Sequence, residues 1–202
     1  EEASKLKDTQ FREADPTMTF TLLRATRDLM AMGHTLGEDV SELVGWIETL
    51  EAGAQTLWNA ALGCFDSRDV EGKTWAGAVS NASFLCWYAG IAHPDMRTRL
   101  DEVMAQAKYG VPSLALSDPR FDGKRYWRGP VWGVMNLMIS TGLSEMGLPQ
   151  GAALRQTTAD LIADHGFAEY FAPRDGAPAG GSSFTWTAAI WLGWASPNVK
   201  GA

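Results

Sequence analysis

Cysteine and histidine are scarce in this chain of 202 residues. It has two cysteines, Cys64 and Cys86, and three histidines at widely separated positions. Two cysteines provide neither a disulfide framework nor the paired spacing of a zinc site, so we expect both to be small buried hydrophobic side chains. His34, His93 and His165 show no HExxH-type pairing, which predicts helix-end or surface positions and no metal site.

Long apolar runs and basic runs are also missing. The longest apolar stretch, Val131 to Ile139, is interrupted by Asn136 and is far shorter than the roughly 18 residues of a membrane span. The 17 basic residues are scattered among 24 acidic ones, which gives a net charge of -7. This balance argues against a nucleic-acid or anionic-membrane surface. The sequence also lacks phosphate-loop, dinucleotide and G-x-S-x-G patterns, so neither a nucleotide cofactor nor a serine nucleophile is indicated.

Helical periodicity dominates what the chain does contain. Hydrophobic residues make up 46% of it, which is enough for one real core at this length. Apolar side chains recur at helical spacing in about seven segments, and almost no segment alternates as a strand does. The first predicted helix begins at Pro16 and ends between Gly33 and Gly37. The others span residues 38–59, 82–89, 93–109, 130–145, 149–165 and 184–194. The pattern predicts an all-α protein of helical hairpins arranged as a toroid or part of one, with a simple bundle as the alternative.

Two long connections, residues 110–129 and 166–183, each precede an aromatic-rich helix. Loops of this length inside a compact domain are usually functional. Five of the nine tryptophans fall between positions 127 and 194. Most of these rings are expected in the core, but indole rings beside glycine-rich loops are also what a sugar site needs, since the apolar face of a pyranose packs on them.

The segment from Arg125 to Asn136 is the first with residues suited to chemistry. Trp127 could stack on a sugar, and the guanidinium of Arg128 could hold carboxylate or hydroxyl groups with its planar fork of donors. Trp132 and Asn136 are four residues apart, which predicts that they share a face at the start of the next helix. The alternative is that both tryptophans pack the core and that Arg128 pairs with a structural acid.

Glu169 is the carboxylate of a second segment, residues 166–176, where three aromatic residues surround it in sequence. A carboxylate at the mouth of a glycine-rich loop is a candidate general base. The alternative is a salt bridge from Glu169 to a nearby arginine. A third segment, residues 182–189, places Trp186 at the start of the last helix, where it is expected to face the same rim.

Together the three segments resemble glycoside hydrolase family 63, and within it the bacterial mannosylglycerate and glucosylglycerate hydrolases. The resemblance covers nearly the whole chain, and the order of the motifs matches as well. It is carried by Tyr126–Trp132 with Asn136, Gly166–Phe171, and Phe184–Ala189. The family fold is an (α/α)6 barrel, so residues 1–202 are expected to form the C-terminal part of the catalytic domain, about half of the barrel.

The resemblance implies an inverting α-glycosidase that hydrolyses an α-glucosidic or α-mannosidic bond, such as that of a glycosylglycerate. Glu169 would be the general base. The sugar subsite would be lined by Tyr126, Trp127, Arg128, Trp132, Asn136 and Trp186. No cofactor or metal is implied, and a small metabolite substrate suits a cytoplasmic bacterial enzyme.

The catalytic acid is the point at which the chain departs from the family. Inversion needs an acid and a base, and no segment in residues 1–120 matches the family's Asp-bearing loop. We therefore expect the acid to come from the remainder of the barrel, on an upstream segment or another chain. Half a barrel would also expose apolar faces. The alternatives are a non-catalytic carbohydrate-binding or scaffold module that lacks the acid, and a toroid enzyme with a non-sugar substrate.

Overall fold

The computed structural model describes residues 12–71 and 74–199, and this part of the chain is mainly helical. Its α-helices are α1 (Pro16–Leu36), α2 (Ser41–Gln55), α3 (Pro94–Gln106), α4 (Gly133–Glu145), α5 (Gln150–His165) and α6 (Thr185–Ile190). A 3-10 helix spans Asn81–Cys86, and a π-helical turn, Trp191–Ala195, continues α6. The expected all-α class is confirmed.

Short strands fasten the loops between these helices. Each is two residues long, and they form three antiparallel pairs. The pairs are β1 (Glu13–Ala14) with β4 (Arg68–Asp69), β2 (Trp58–Asn59) with β3 (Cys64–Phe65), and β5 (Tyr170–Phe171) with β6 (Pro178–Ala179).

The first helix begins and ends as its sequence predicts. Asp15 precedes α1, and its side chain accepts a hydrogen bond of 3.1 Å from the backbone N–H of Met18. Pro16 occupies the first helical position, where the N–H that proline lacks is not needed. The helix ends at Gly37, which has a left-handed φ of 74°.

The predicted extension of the second helix to residue 59 is wrong. α2 ends at Gln55, because the chain turns there into the β2–β3 hairpin. Buried Asp66 holds this turn by accepting hydrogen bonds from the Asn59 side chain at 3.0 Å and from the backbone N–H of Gly77 at 2.9 Å. Asp66 is therefore a structural residue of the loop.

The predicted start of α4 at Pro130 is also wrong, since the helix begins at Gly133. Val131 is extended and exchanges two backbone hydrogen bonds with Phe171, of 2.8 and 3.0 Å. These bonds occupy the polar groups that a helical turn would use. They also join the two long connections to each other directly before α4.

The core consists of one large cluster and two small ones. The large cluster lies among α1, α2, the 3-10 helix, α3 and α4, and contains Phe20, Phe65, Phe84 and Trp132. A second cluster beneath the two long connections joins Tyr109, Val131, Leu161, Ala168 and Phe171. The third lies between α5 and the π-helical turn. The candidate site therefore rests on packed side chains along its inner side.

Both cysteines are buried and unbridged, as expected. Burial raises the pKa of Cys64 to about 11, and it also raises the pKa of Cys86. A thiol buried in apolar surroundings stays protonated and behaves as a small hydrophobic side chain.

The first helix is apolar on two opposite faces. Phe20 and Leu23 are fully buried in the core. On the opposite face a second stripe is exposed: Met18 (72%), Leu22 (54%), Leu29 (52%), Met32 (62%) and Leu36 (73%). None of the helices in the described part of the chain combines the length and the hydropathy that crossing a membrane requires. An apolar stripe of this kind is typical of a helix that packs against further protein.

Candidate active site

Three aromatic side chains form a compact stack at the end of the first long connection. The rings of Trp127 and Trp132 are parallel, with centroids 4.1 Å apart and an interplanar angle of 6°. Tyr126 meets Trp132 edge-on at 5.2 Å and Trp127 at 5.9 Å. Trp132 is buried (2% exposed), whereas Trp127 is 43% exposed. Trp127 therefore presents the open aromatic surface, and Trp132 supports it from beneath.

The backbone at Tyr126 is held in an unusual conformation. Its φ is 40°, the one positive value among the non-glycine residues that the structure describes. A bulky residue reaches this region only where its surroundings hold it there. The indole Nε1 of Trp132 donates a 3.0 Å hydrogen bond to the carbonyl oxygen of Tyr126, which fixes this turn. Trp132 thus supports Trp127 by stacking and Tyr126 by a hydrogen bond.

Glu169 lies directly before β5, partly exposed at the edge of the second long connection. Its backbone N–H donates to the carbonyl oxygen of Gly181 at 2.8 Å. The N–H of Gly181 in turn donates to Glu169 Oε2 at 3.2 Å. No salt bridge to Glu169 occurs among residues 12–71 and 74–199, so the alternative role as an arginine partner receives no support. The Glu169 carboxylate is instead oriented by the backbone N–H of Gly181.

Backbone contacts bring the three predicted segments together. The Val131–Phe171 bridge ties the first segment to the second, two residues from Glu169. Tyr170 extends this junction, because its ring lies 4.9 Å from that of Trp132 and 5.9 Å from that of Tyr126. The residue that follows Glu169 in the chain therefore contacts the aromatic stack.

The third segment joins the second through its own bonds. Thr187 in α6 donates a hydrogen bond of 2.6 Å to the carbonyl oxygen of Ala168. The backbone N–H of Phe184 donates to Phe167 at 2.8 Å. Trp186 is 55% exposed at the start of α6 and meets the ring of Phe184 at 5.6 Å. Its ring is therefore accessible, and its contact with sugar stays a prediction.

Arg128 forms a weak ion pair with Asp122. Its guanidinium lies 3.8 Å from the Asp122 carboxylate, and both side chains are about half exposed. The predicted alternative, a pair with an acid, therefore occurs. Exposed pairs of this length contribute little to stability, so Arg128 can turn toward a ligand at small cost.

Asn136 is placed differently from its predicted role. It is fully buried in α4. Its side-chain oxygen accepts from the backbone N–H of Val111 at 3.1 Å, and its amide nitrogen donates to Thr158 at 3.0 Å. Because its polar atoms are used inside the protein, Asn136 connects α4 with α5 and with the first long connection, and we assign it no contact with sugar.

The loop that carries the stack is anchored at its beginning. Arg120 donates to both carboxylate oxygens of Asp118 and to the carbonyl oxygens of Ala76 and Gly77, at 3.0 and 2.8 Å. Hydrogen bonds from Arg120 lower the pKa of Asp118 below its usual range. These bonds fix the chain at Arg120, seven residues before Trp127.

Sequence reasoning missed two contributors to this surface. Tyr170 joins the carboxylate segment to the aromatic stack, and Gly181 holds Glu169. The signal for Tyr170 was its position next to Glu169 in an aromatic run. For Gly181 the glycine pair at positions 180 and 181 gave only a general indication of a turn.

The histidines lie at helix ends, as predicted. His93 precedes α3 and accepts from the N–H of Asp95 at 3.3 Å, while His34 and His165 lie in the last turns of α1 and α5. In the part of the chain that the structure describes, no three His, Cys, Asp or Glu side chains are grouped as metal ligands.

Comparison with known proteins decides the family. The profile of the mannosylglycerate hydrolase MGH1-like glycoside hydrolase domain matches residues 1–187. The chain belongs to this family of glycoside hydrolases. The mannosylglycerate hydrolase MGH1 of Selaginella moellendorffii is 32% identical over 201 residues, which are 96% of this chain and 41% of that protein. The assignment to family 63 from the sequence motifs is confirmed.

Solved structures agree with this glycoside hydrolase assignment. The family 63 mannosylglycerate hydrolase from Thermus thermophilus, in complex with Tris and D-glycerate, matches with a TM-score of 0.90 and 31% identity. The match covers 95% of this chain and 48% of that one. The same enzyme in complex with glucose gives a TM-score of 0.85 and 34% identity, over 89% of this chain and 47% of that one. The chain thus spans about half the length of the relatives it matches.

Proposed function

We propose that the full protein is an inverting α-glycosidase acting on a glycosylglycerate, and that this chain carries its general base, Glu169. The observation that carries the proposal is the position of Glu169. Its carboxylate accepts a hydrogen bond from the Gly181 N–H, and it lies directly before β5, which is bridged to the segment that holds the aromatic stack. A carboxylate held by a backbone N–H, on a segment bonded to the one that carries an exposed indole, is suited to activate water for attack on a sugar.

The mechanism assigns each group one role. The hexose packs against the exposed face of Trp127, and Trp186 lines the open side. Glu169 removes a proton from a water molecule as its oxygen attacks the anomeric carbon. The bond from that carbon to the leaving oxygen breaks, and a carboxylic acid protonates the leaving oxygen. In inverting enzymes the two carboxyl groups are about 6.5–9.5 Å apart, which leaves room for the water.

The acid is assigned to the remainder of the barrel, because no segment in residues 1–120 resembles the family's Asp-bearing loop. The substrate class rests on relatives, since the Thermus thermophilus enzyme is a mannosylglycerate hydrolase and was crystallised with D-glycerate and with glucose. Arg128 is assigned to the glycerate carboxylate, because its only ion pair among the described residues is the loose one with Asp122.

The remainder of the barrel is also assigned as the partner of the exposed stripe on α1. Full-length protein with Leu29→Gln should melt lower than wild type, whereas the same change in the 202-residue chain should leave its melting temperature nearly unchanged. Equal effects in both would contradict a covered α1 face.

The test of the reaction is product stereochemistry. Full-length protein is mixed with α-mannosylglycerate, α-glucosylglycerate and a panel of nitrophenyl glycosides, and the first product anomer is followed by proton NMR. We expect the β-anomer of the sugar first. Early α-anomer would contradict inversion. Sugar binding without turnover would favour the alternative of a non-catalytic carbohydrate-binding module.

A further inference from the structure

The hairpin that follows Glu169 contains an extra residue. Tyr170 pairs with Ala179, so Glu169 would pair with Gly180 in an unbroken ladder. The backbone of Glu169 bonds to Gly181 instead, at 2.8 Å. Gly180 is therefore one residue more than the opposite strand has, and its φ of 71° is left-handed. An extra glycine in this conformation is a β-bulge, a feature that redirects side chains beside active sites.

The bulge leaves room for the Glu169 carboxylate. A Cβ at Gly180 would lie 2.5 Å from Glu169 Oε2, 2.8 Å from Glu169 Cβ and 2.8 Å from the Tyr170 ring. Any other residue at position 180 would displace the carboxylate or the tyrosine. The same bulge turns the N–H of Gly181 toward Oε2, at 3.2 Å.

We propose that Gly180 is a positioning residue for the general base, because its missing side chain and its left-handed backbone allow the Gly181 N–H to hold Glu169 Oε2. Oε1 has no donor among the described residues, which leaves it to accept the proton of the attacking water in the proposed reaction. The inference rests on the proposed role of Glu169 and adds the group that aims it.

Gly147→Ala is the matched control for Gly180→Ala. Gly147 has a φ of 70°, and a Cβ there would meet nothing within 4 Å. Both substitutions introduce the same left-handed strain, but only the Cβ of Gly180→Ala contacts Glu169. If the two variants melt at similar temperatures, a difference in kcat between them comes from the position of Glu169 and not from backbone strain.

The experiment measures kcat and KM of the full-length protein and its variants on a glycosylglycerate. A displacement of about 1 Å costs about 100-fold in rate, so Gly180→Ala should lower kcat about 100-fold while KM stays within about threefold. Gly147→Ala should keep the wild-type kcat. If Gly180→Ala does not fold, Gly180→Asn replaces it, because asparagine tolerates the left-handed region but still carries the Cβ.

Glu169→Gln, measured alongside, separates the two proposals. If it is inactive and Gly180→Ala or Gly180→Asn has the kcat of Gly147→Ala, the positioning role is overturned and the general base stands. If Glu169→Gln itself turns over at the wild-type rate, both are overturned. Loss of kcat in both the Glu169 and Gly180 variants supports the inference.

Discussion

A methyl group added at Gly142 should lower the stability of the packing around α4, the helix that begins at the candidate site. Gly142 lies buried in α4, and a Cβ there would be 2.6 Å from Tyr88 Cα and in closer conflict with the backbone of Trp87 and with the Tyr88 N. Backbone atoms cannot rotate away as a side chain can. α4 begins directly after Trp132, and Gly142 lets this helix approach the backbone that follows the 3-10 helix.

The magnitude of Gly142→Ala follows from two opposing terms. Overpacking costs about 1–3 kcal/mol, and three backbone contacts place this case near 3. Alanine returns about 1 kcal/mol through its higher helix propensity. The net loss of about 2 kcal/mol should lower Tm by about 4–8 °C at this chain length.

Thermal unfolding followed by circular dichroism checks this, with Gly45→Ala as control. Gly45 lies exposed in α2, and a Cβ there would meet nothing within 4 Å. The control should therefore gain stability, by about 1 kcal/mol. A Gly142→Ala variant that melts at or above the wild-type temperature would refute the close contact between α4 and the backbone of Trp87 and Tyr88.

Three further outcomes are expected. Trp132→Phe removes the N–H that holds the Tyr126 carbonyl, so stability should fall by about 1 kcal/mol or more and KM for sugar should rise. An unchanged KM would count against the support role. Cys64, with its pKa raised to about 11 by burial, should react with a thiol reagent at about pH 8 only after unfolding by urea, and rapid native labelling would contradict its burial. Because Arg120 lowers the pKa of Asp118, that contact stabilises above the unfolded value of about 4 and is lost as pH falls through the lowered pKa. Between about pH 5 and pH 2 the melting temperature should therefore fall more steeply with pH for wild type than for Asp118→Asn. An equal fall in both proteins would argue against the contact between Asp118 and Arg120.

The helices could be predicted because their signals are local. Asp15 and Pro16 start α1 through interactions within four residues, and Gly37 ends it through its own backbone freedom. The errors occur where distant parts of the chain compete. Val131 is extended because Phe171, forty residues away, takes its hydrogen bonds, and no local pattern carries that information.

The candidate site could also be predicted only where its signals are local. The residue types at Trp127 and Glu169 indicate sugar chemistry, and the roles proposed for them come from the family resemblance. The burial of Asn136 depends on α5, whose Thr158 accepts its hydrogen bond, so spacing within α4 could not reveal it. The bulge at Gly180 depends on the register between two strands, which a glycine pair in the sequence does not specify.

Turnover of a glycosylglycerate by full-length Glu169→Gln protein tests the central claim most directly, with sugar affinity measured on the same sample. The glutamine keeps the shape of the side chain but cannot accept the proton of the attacking water. We predict that kcat falls at least about 100-fold while the dissociation constant for the sugar stays near wild type, and that Glu48→Gln on exposed α2 changes neither. A Glu169→Gln enzyme that retains the wild-type kcat would contradict the account.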